Sequence, residues 1–166
     1  HFNVYIYTRK KNKQNKMNHF NTNGDLLTNK PTQSPKICFV GCSDSRVTPE
    51  RILGVPEESG EIFVVRNVGN QVDDASCLSA IQYALEVLNV KEVVICGHTG
   101  CGAVHTCVNN IRIDKHLEKW LAPMRENLLK HTFDNACDYV YCNVQLQVDI
   151  LKTLYPDVTI SGYVYE

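Results

Sequence analysis

The chain has 166 residues, 43% of them hydrophobic, enough to bury one ordinary core and too few for two. Its formal net charge of -1 gives no attraction for nucleic acid, and no apolar stretch approaches the roughly 20 residues that cross a bilayer, so a soluble domain without nucleic-acid or membrane partners is expected. Eight cysteines make up about 5% of the chain, below the density of disulfide scaffolds, and Cys38, Cys77 and Cys96 lie inside apolar runs. A reducing intracellular compartment is therefore expected, the cytoplasm ahead of a mitochondrion or plastid.

The first 24 residues contain no Asp or Glu and interleave Arg9, Lys10, Lys11, Lys13 and Lys16 with asparagine. That composition is poor in core-forming residues, so residues 1–32 are expected to be a mobile basic arm ahead of a single α/β domain over residues 33–166. Organelle transit peptides share the basic, acid-poor character, but the usual Ser and Arg enrichment is missing, and a solvated tail or upstream sequence before Met17 fits better. From Gln33 onward, short β-rich runs alternate with helical periodicity, the pattern of a mostly parallel sheet flanked by helices. Lys36 to Gly41 reads as the first strand of this domain. Thr48 can then cap a short helix with Pro49 at its first position and Gly54 as its stop. Glu61 to Arg66 reads as the second strand. Leu78, Ile81, Leu85 and Leu88 predict an amphipathic helix over Asp74 to Asn89, leading into a strand over Glu92 to Cys96. A helix containing Trp120, a helix through Val144, Val148, Leu151 and Leu154, and a short terminal edge strand near Val158 to Tyr165 complete the reading.

Two motifs sit at strand ends. Cys42-Ser43-Asp44-Ser45-Arg46 closes the run ICFV, and His98-Thr99-Gly100-Cys101-Gly102 closes EVVIC. In open α/β sheets ligands gather at the carboxyl ends of strands, so one site can collect Cys42, His98 and Cys101. Cys and His are preferred zinc ligands; three of them leave a tetrahedral position free for catalysis, whereas a fourth would make the site structural. Taken singly, Cys42 reads as a small buried hydrophobe and His98 as a hydrogen-bonded core histidine. Asp44 and Arg46 beside them favour the metal site.

These residues carry a family resemblance. CSDSR, FVVRNVGN, SAIQYALEVL and VVICGHTGCGAV are together similar to a β-class carbonic anhydrase of the plant-like branch, over roughly Gln33 to Val108 and more weakly through Lys119 to Pro123 and Asn143 to Gln147. The resemblance implies one Zn²⁺ per chain on Cys42, His98 and Cys101, with Asp44 and Arg46 as a catalytic dyad. It also implies that Gln33 helps bind bicarbonate across a dimer interface, that Phe63, Val68 and Tyr83 form the apolar wall and tyrosine of the pocket, and that the Gly102 backbone contacts substrate. A homodimer is then the smallest expected unit, with larger homo-oligomers open. The 41 residues before Cys42 lack the amphipathic helices with which many members embrace a partner, so a less tightly wrapped dimer is expected. Tyr155 to Val158 runs almost directly into Ser161 to Tyr165, so the last strand is expected to be shortened or missing. A chain opening on His1 reads equally as a compact natural version or as a fragment.

The residue types dictate the chemistry expected of such a site. Two thiolates and a neutral imidazole bring Zn²⁺ to a net charge near zero, so its water should be less acidic than on three histidines, and activity should rise toward alkaline pH. Asp44 is suited to accept a hydrogen bond from zinc-bound hydroxide and aim its lone pair at carbon dioxide. Arg46, two residues on, can hold that carboxylate in a bidentate pair; released, Asp44 would become a fourth ligand and close the site. Reversible hydration of carbon dioxide to bicarbonate and a proton is the leading expectation. Hydrolysis of carbonyl sulfide or carbon disulfide on the same site is one alternative. Another is a non-catalytic zinc or thiol-redox protein in which Asp44 closes the site or Cys42 pairs with Cys101. His105 reads as a surface histidine before a proton shuttle, and Cys107, Cys137 and Cys142 as packing thiols before a second metal cluster. Glu57, Glu58, Asp73 and Asp74 read as solvated loop charges, Arg66 and Asn67 as fixing the second strand's end and a dimer contact, and Tyr83 as divided evenly between packing and substrate contact.

Overall fold

A computed structural model describes residues 33–166 and the backbone of residues 4–7. Five strands, β1 (Val4–Tyr7), β2 (Ile37–Cys42), β3 (Ile62–Asn67), β4 (Glu92–His98) and β5 (Thr159–Tyr165), form one parallel sheet in the order β1-β5-β4-β2-β3. Helices α1 (Pro49–Leu53), α2 (Ala75–Gln82), α3 (Gly102–Val108), α4 (His116–Leu128) and α5 (Ala136–Leu154) connect them. The expected α/β architecture is therefore present. Residues expected as a mobile arm behave differently at Val4–Tyr7, an alternating β-branched and aromatic tetrapeptide that pairs with β5; the rest of that arm lies outside the described residues.

The expectation of a short or missing terminal edge strand is corrected. β5 runs for seven residues and lies between β4 and β1, with Glu92 to His98 in register against Thr159 to Tyr165. The alternation of buried Ile160, Gly162 and Val164 with half-exposed neighbours gives it one face to bury, and that fixes the register. Helix α5 packs on this face so closely that a Cβ at Gly97 would lie 2.6 Å from Val144 Cγ2, and one at Gly162 2.7 Å from Val144 Cγ1. Residues Val94 and Cys96 point to the opposite face, where Ile52 and Leu53 of α1 cover part of it.

The short helix begins at Pro49 with Thr48 at its N-cap position, although the Thr48 side chain makes no capping bond, and Gly54 ends it in the left-handed region. Asp74, expected as a solvated charge, is instead the N-cap of α2 and accepts hydrogen bonds from the amides of Ser76 and Cys77 at 2.9 and 3.1 Å. The helix expected to run unbroken to Asn89 changes at Tyr83–Val87 into a π-helical turn, closed by Leu88 N–H donating to the Tyr83 carbonyl at 3.1 Å. Periodicity still finds the core, since Ile81 is fully buried and Leu78, Leu85 and Leu88 pack against it. No described helix is long and apolar enough to cross a membrane.

Candidate metal centre

The carboxyl edge of the sheet brings the two motifs together. Cys42 is the last residue of β2, His98 the last of β4, and Cys101 immediately precedes α3. β2 and β4 are direct neighbours, so the three donor atoms fall within 4.8 Å of one another, and all three residues are buried. Among the described residues this is the one group of His, Cys, Asp or Glu able to hold a metal. Cys107, Cys137 and Cys142 form no second cluster, and His105 lies on the surface beside Asn109.

The donor set fits zinc. His98 Nδ1 lies 3.0 Å from the Thr99 carbonyl, which can only accept, so the ring proton sits on Nδ1 and Nε2 presents its lone pair inward. Nε2 is buried with no hydrogen-bond partner, an orphan that a metal would satisfy. The Cys101 thiol favours the Cys42 thiolate most; burial opposes it, and His98 and the amides of Gly69 and Asp44 add to it, so Cys42 sits well below the usual thiol range. Cys101 is raised in turn by the adjacent Cys42 sulfur and by burial. Burial works against a charged His98, but the Cys42 sulfur, the Thr99 carbonyl and Asp44 outweigh it and raise its pKa.

Asp44 faces Arg46. Its Oδ1 accepts from Arg46 Nε at 2.9 Å and from the Arg46 amide at 3.0 Å, while Oδ2 accepts from Nη2 at 2.7 Å. These bonds hold the Asp44 carboxyl well below the usual carboxylate range. Arg46 Nη2 also donates to the Gly100 carbonyl at 3.2 Å, tying the first motif to the second. Asp44 Oδ2 lies 3.8 Å from His98 Nε2, close enough to reach a bound group while occupied by the guanidinium.

Arg66 does more than finish its strand. Its Nε donates to the Cys42 carbonyl at 2.9 Å and its Nη2 to the Asp44 carbonyl at 2.6 Å, so one guanidinium brackets the turn that carries the site. Asn67 O accepts from Ser43 N–H at 2.8 Å, and the Asn67 side chain exchanges two bonds with the Gln71 backbone. Sequence reasoning placed Arg66 and Asn67 at the strand end and missed this hold on the site. The register that sets Gly41 against Arg66 and Cys42 against Asn67 was the signal that could have found it.

The expected substrate residues divide into two groups. Val68 and Gly102 line a hollow with Cys42 and Asp44, closed on its apolar side by Leu117 and Leu121. Gln33, Phe63 and Tyr83 lie elsewhere. Gln33 precedes β2 and sits beside Gly60, and Phe63 packs on Tyr83 with ring centroids 6.0 Å apart. Phe63 is four residues upstream of Asn67 on β3, about 13 Å at the rise of a strand, so this second group flanks the amino end of the sheet's free edge. Tyr83 and Val68 are 44% and 41% exposed and Val64 39%, so large apolar side chains are exposed on and near β3, the edge strand among the described residues.

Comparison with known proteins agrees with this geometry. The sequence profile of the carbonic anhydrase family matches residues 37–158. A carbonic anhydrase of Candida albicans is 42% identical over 112 residues, which cover 66% of this chain and 38% of that protein. A mitochondrial β carbonic anhydrase of Arabidopsis thaliana is 39% identical over 121 residues, covering 63% and 41%. The matched stretch thus spans about two fifths of these relatives. Among solved structures, a tetrameric β-carbonic anhydrase of Sordaria macrospora superposes with a TM-score of 0.68 at 29% identity, covering 81% of this chain and 77% of that one. A Coccomyxa β-carbonic anhydrase in complex with acetazolamide gives 0.65 at 32% identity, covering 73% and 59%.

Proposed function

The chain belongs to the β-carbonic anhydrase family, and from that premise we propose that it catalyses the reversible hydration of carbon dioxide to bicarbonate and a proton. The observation that carries this reading is the Asp44–Arg46 pair standing beside three buried donors: the Asp44 carboxylate, 3.8 Å from His98 Nε2, is already engaged. Cys42, His98 and Cys101 would hold Zn²⁺, which when bound supplies Lewis-acid activation of water.

The remaining work falls to the chain's own residues. Asp44 accepts a hydrogen bond from the attacking water and so points the oxygen lone pair toward carbon dioxide. Arg46 holds the Asp44 carboxylate in a bidentate pair, which would keep it from ligating the metal and leave it in the geometry that orients. Val68, Leu117 and Leu121 give a linear apolar substrate a dry wall, and the Gly102 backbone at the start of α3 faces the same hollow. Two thiolate donors leave the centre nearly neutral, so turnover is expected to climb toward alkaline pH.

Gln33, Phe63 and Tyr83 enter this reading through a second copy of the chain. The β3 edge, unpaired among the described residues, and the exposed Val64 and Tyr83 support a homodimer or higher homo-oligomer in which one copy's amino-end group completes the other's pocket. Stopped-flow hydration of carbon dioxide across the neutral to alkaline range, on protein of measured zinc content, tests the proposal. One zinc per chain with turnover rising at high pH is expected. One zinc without turnover at any pH would overturn it in favour of a closed structural or redox site.

A further inference from the structure

Carbon dioxide has no net dipole and no hydrogen-bond donor, so an apolar hollow holds it by contact alone, and that attraction fades over a fraction of an ångström of slack. The gap across the hollow therefore bears on function. Its walls include two pieces of chain far apart in sequence: Val68 from the loop after β3, and Leu117 and Leu121 from α4. The loop is the braced side. Asn143 Nδ2 donates to the Gly69 carbonyl at 3.0 Å, Gln147 Oε1 accepts from Val72 N–H at 2.9 Å, and Gln147 Nε2 donates to Asn143 Oδ1 at 3.1 Å. Two buried amides one turn apart on α5 thus hold it from Gly69 to Val72.

Helix α4 is less able to place itself. Pro123 lies inside it and has no N–H for the Lys119 carbonyl, so the helix's own ladder is broken at the turn that carries Leu121. Arg125, buried beyond the proline, donates back to Glu118 Oε2 at 2.9 Å and across to the Thr106 carbonyl at 3.2 Å, which joins the two halves of α4 and ties them to α3. A reciprocal pair ties α4 to the loop. Trp120 Nε1 donates to the Val68 carbonyl at 2.7 Å, and Gln71 Nε2 donates to the Trp120 carbonyl at 2.9 Å. One bond ends on a wall residue and the other on the residue before Leu121. We propose, on the reading of this hollow as the carbon dioxide site, that Gln71 and Trp120 are positioning residues whose clasp sets the gap between Val68 and Leu121. Neither side chain lines the hollow, so both act through the backbone they grip. Slack in a wall weakens the ground state and the transition state alike, which raises KM and leaves kcat as it was.

The test uses the zinc-loaded full chain, with stopped-flow hydration of carbon dioxide and acrylamide quenching of Trp120, the one tryptophan in the sequence. Gln71→Leu removes one half of the clasp, and Trp120→Phe keeps a ring and removes the other. Each is expected to raise KM for carbon dioxide about threefold, the loss of part of the contact on one wall, with kcat and zinc content unchanged. Acrylamide should also quench Trp120 faster in Gln71→Leu. Gly54→Ala, at a left-handed turn where a Cβ meets nothing within 4 Å, is the control that lowers melting temperature and leaves KM. If Trp120→Phe does not fold, Gln71→Leu alone decides. An unchanged KM in the clasp variants would overturn the proposal, as would an equal rise in Gly54→Ala or a fall in kcat as large as that in kcat/KM. A zinc-loaded wild-type chain without turnover would overturn the carbon dioxide reading instead. Quenching then judges the clasp by itself, and an unchanged rate in Gln71→Leu would overturn it.

Discussion

Gly69→Ala places a methyl group where the structure has no room for one. The new Cβ would lie 2.5 Å from Met124 Cε and 3.2 Å from Ala103 Cβ, at a residue whose φ is +81°. The left-handed conformation costs an alanine about 1–2 kcal/mol. Met124 is fully buried, so displacing its methyl adds an overpacking cost of about 1–3 kcal/mol. Gly54 separates the two contributions, because its φ is +68° and a Cβ there would meet nothing within 4 Å. Gly54→Ala should therefore lose only the conformational part, about 1–2 kcal/mol, while Gly69→Ala loses about 2–5 kcal/mol. Urea unfolding at matched zinc content, read from both midpoint and slope, measures each loss. Equal losses for the two variants would refute the steric half of the reasoning, and a Met124 that moves aside freely would be the reason.

Arg46→Ala should keep zinc and lose turnover by about a hundredfold, the scale of a misplaced orienting group, checked by metal analysis and stopped flow on one sample; full activity with unchanged metal would sink the idea that Arg46 restrains Asp44. Burial pushes the Cys38, Cys77 and Cys96 thiols up to about 12 and Cys107 up to about 11. These folded-state values lie above the unfolded thiol value of about 8.5, so the stability they carry is complete below that pH and is lost as pH rises toward the folded values, by roughly 1.4 kcal/mol per thiol per pH unit. The urea midpoint should fall through the alkaline range, and Cys96→Ala should make the fall shallower; a flat midpoint would count against thiol burial as its source. Val64→Lys puts a charge on the apolar β3 edge and should split a homo-oligomer seen by sedimentation, whereas an unchanged assembly would move the interface elsewhere.

Much of the site was legible because its residues announce themselves by type. Cys42 closes one apolar run and the His98–Cys101 motif closes another, and strand ends converge on one edge of a parallel sheet, so position along the chain already implied position in space. The Asp44–Arg46 pair was legible from adjacency alone. The outer hold on the site was less so. Arg66, Trp120, Asn143 and Gln147 act through backbone carbonyls and amides, and such partners leave no trace in side-chain chemistry. Asn143 and Gln147 do carry a signal, two amides four residues apart on the apolar stripe of a helix, where only a partner justifies them. The place of β5 was misjudged for a different reason. A short connection after Tyr155 looked like a stunted end, yet the strand length is set by its seven-residue register with β4, and Val4–Tyr7 supplies the neighbour that removes it from the edge.

The order of these residues along the chain separates two events during synthesis. All three donor atoms, and the β2 and β4 strands that present them, have been made once Cys101 emerges. Asn143 and Gln147 arrive only with the last helix. A nascent chain therefore holds all three donors before the two amides that brace the loop from Gly69 to Val72 have been made.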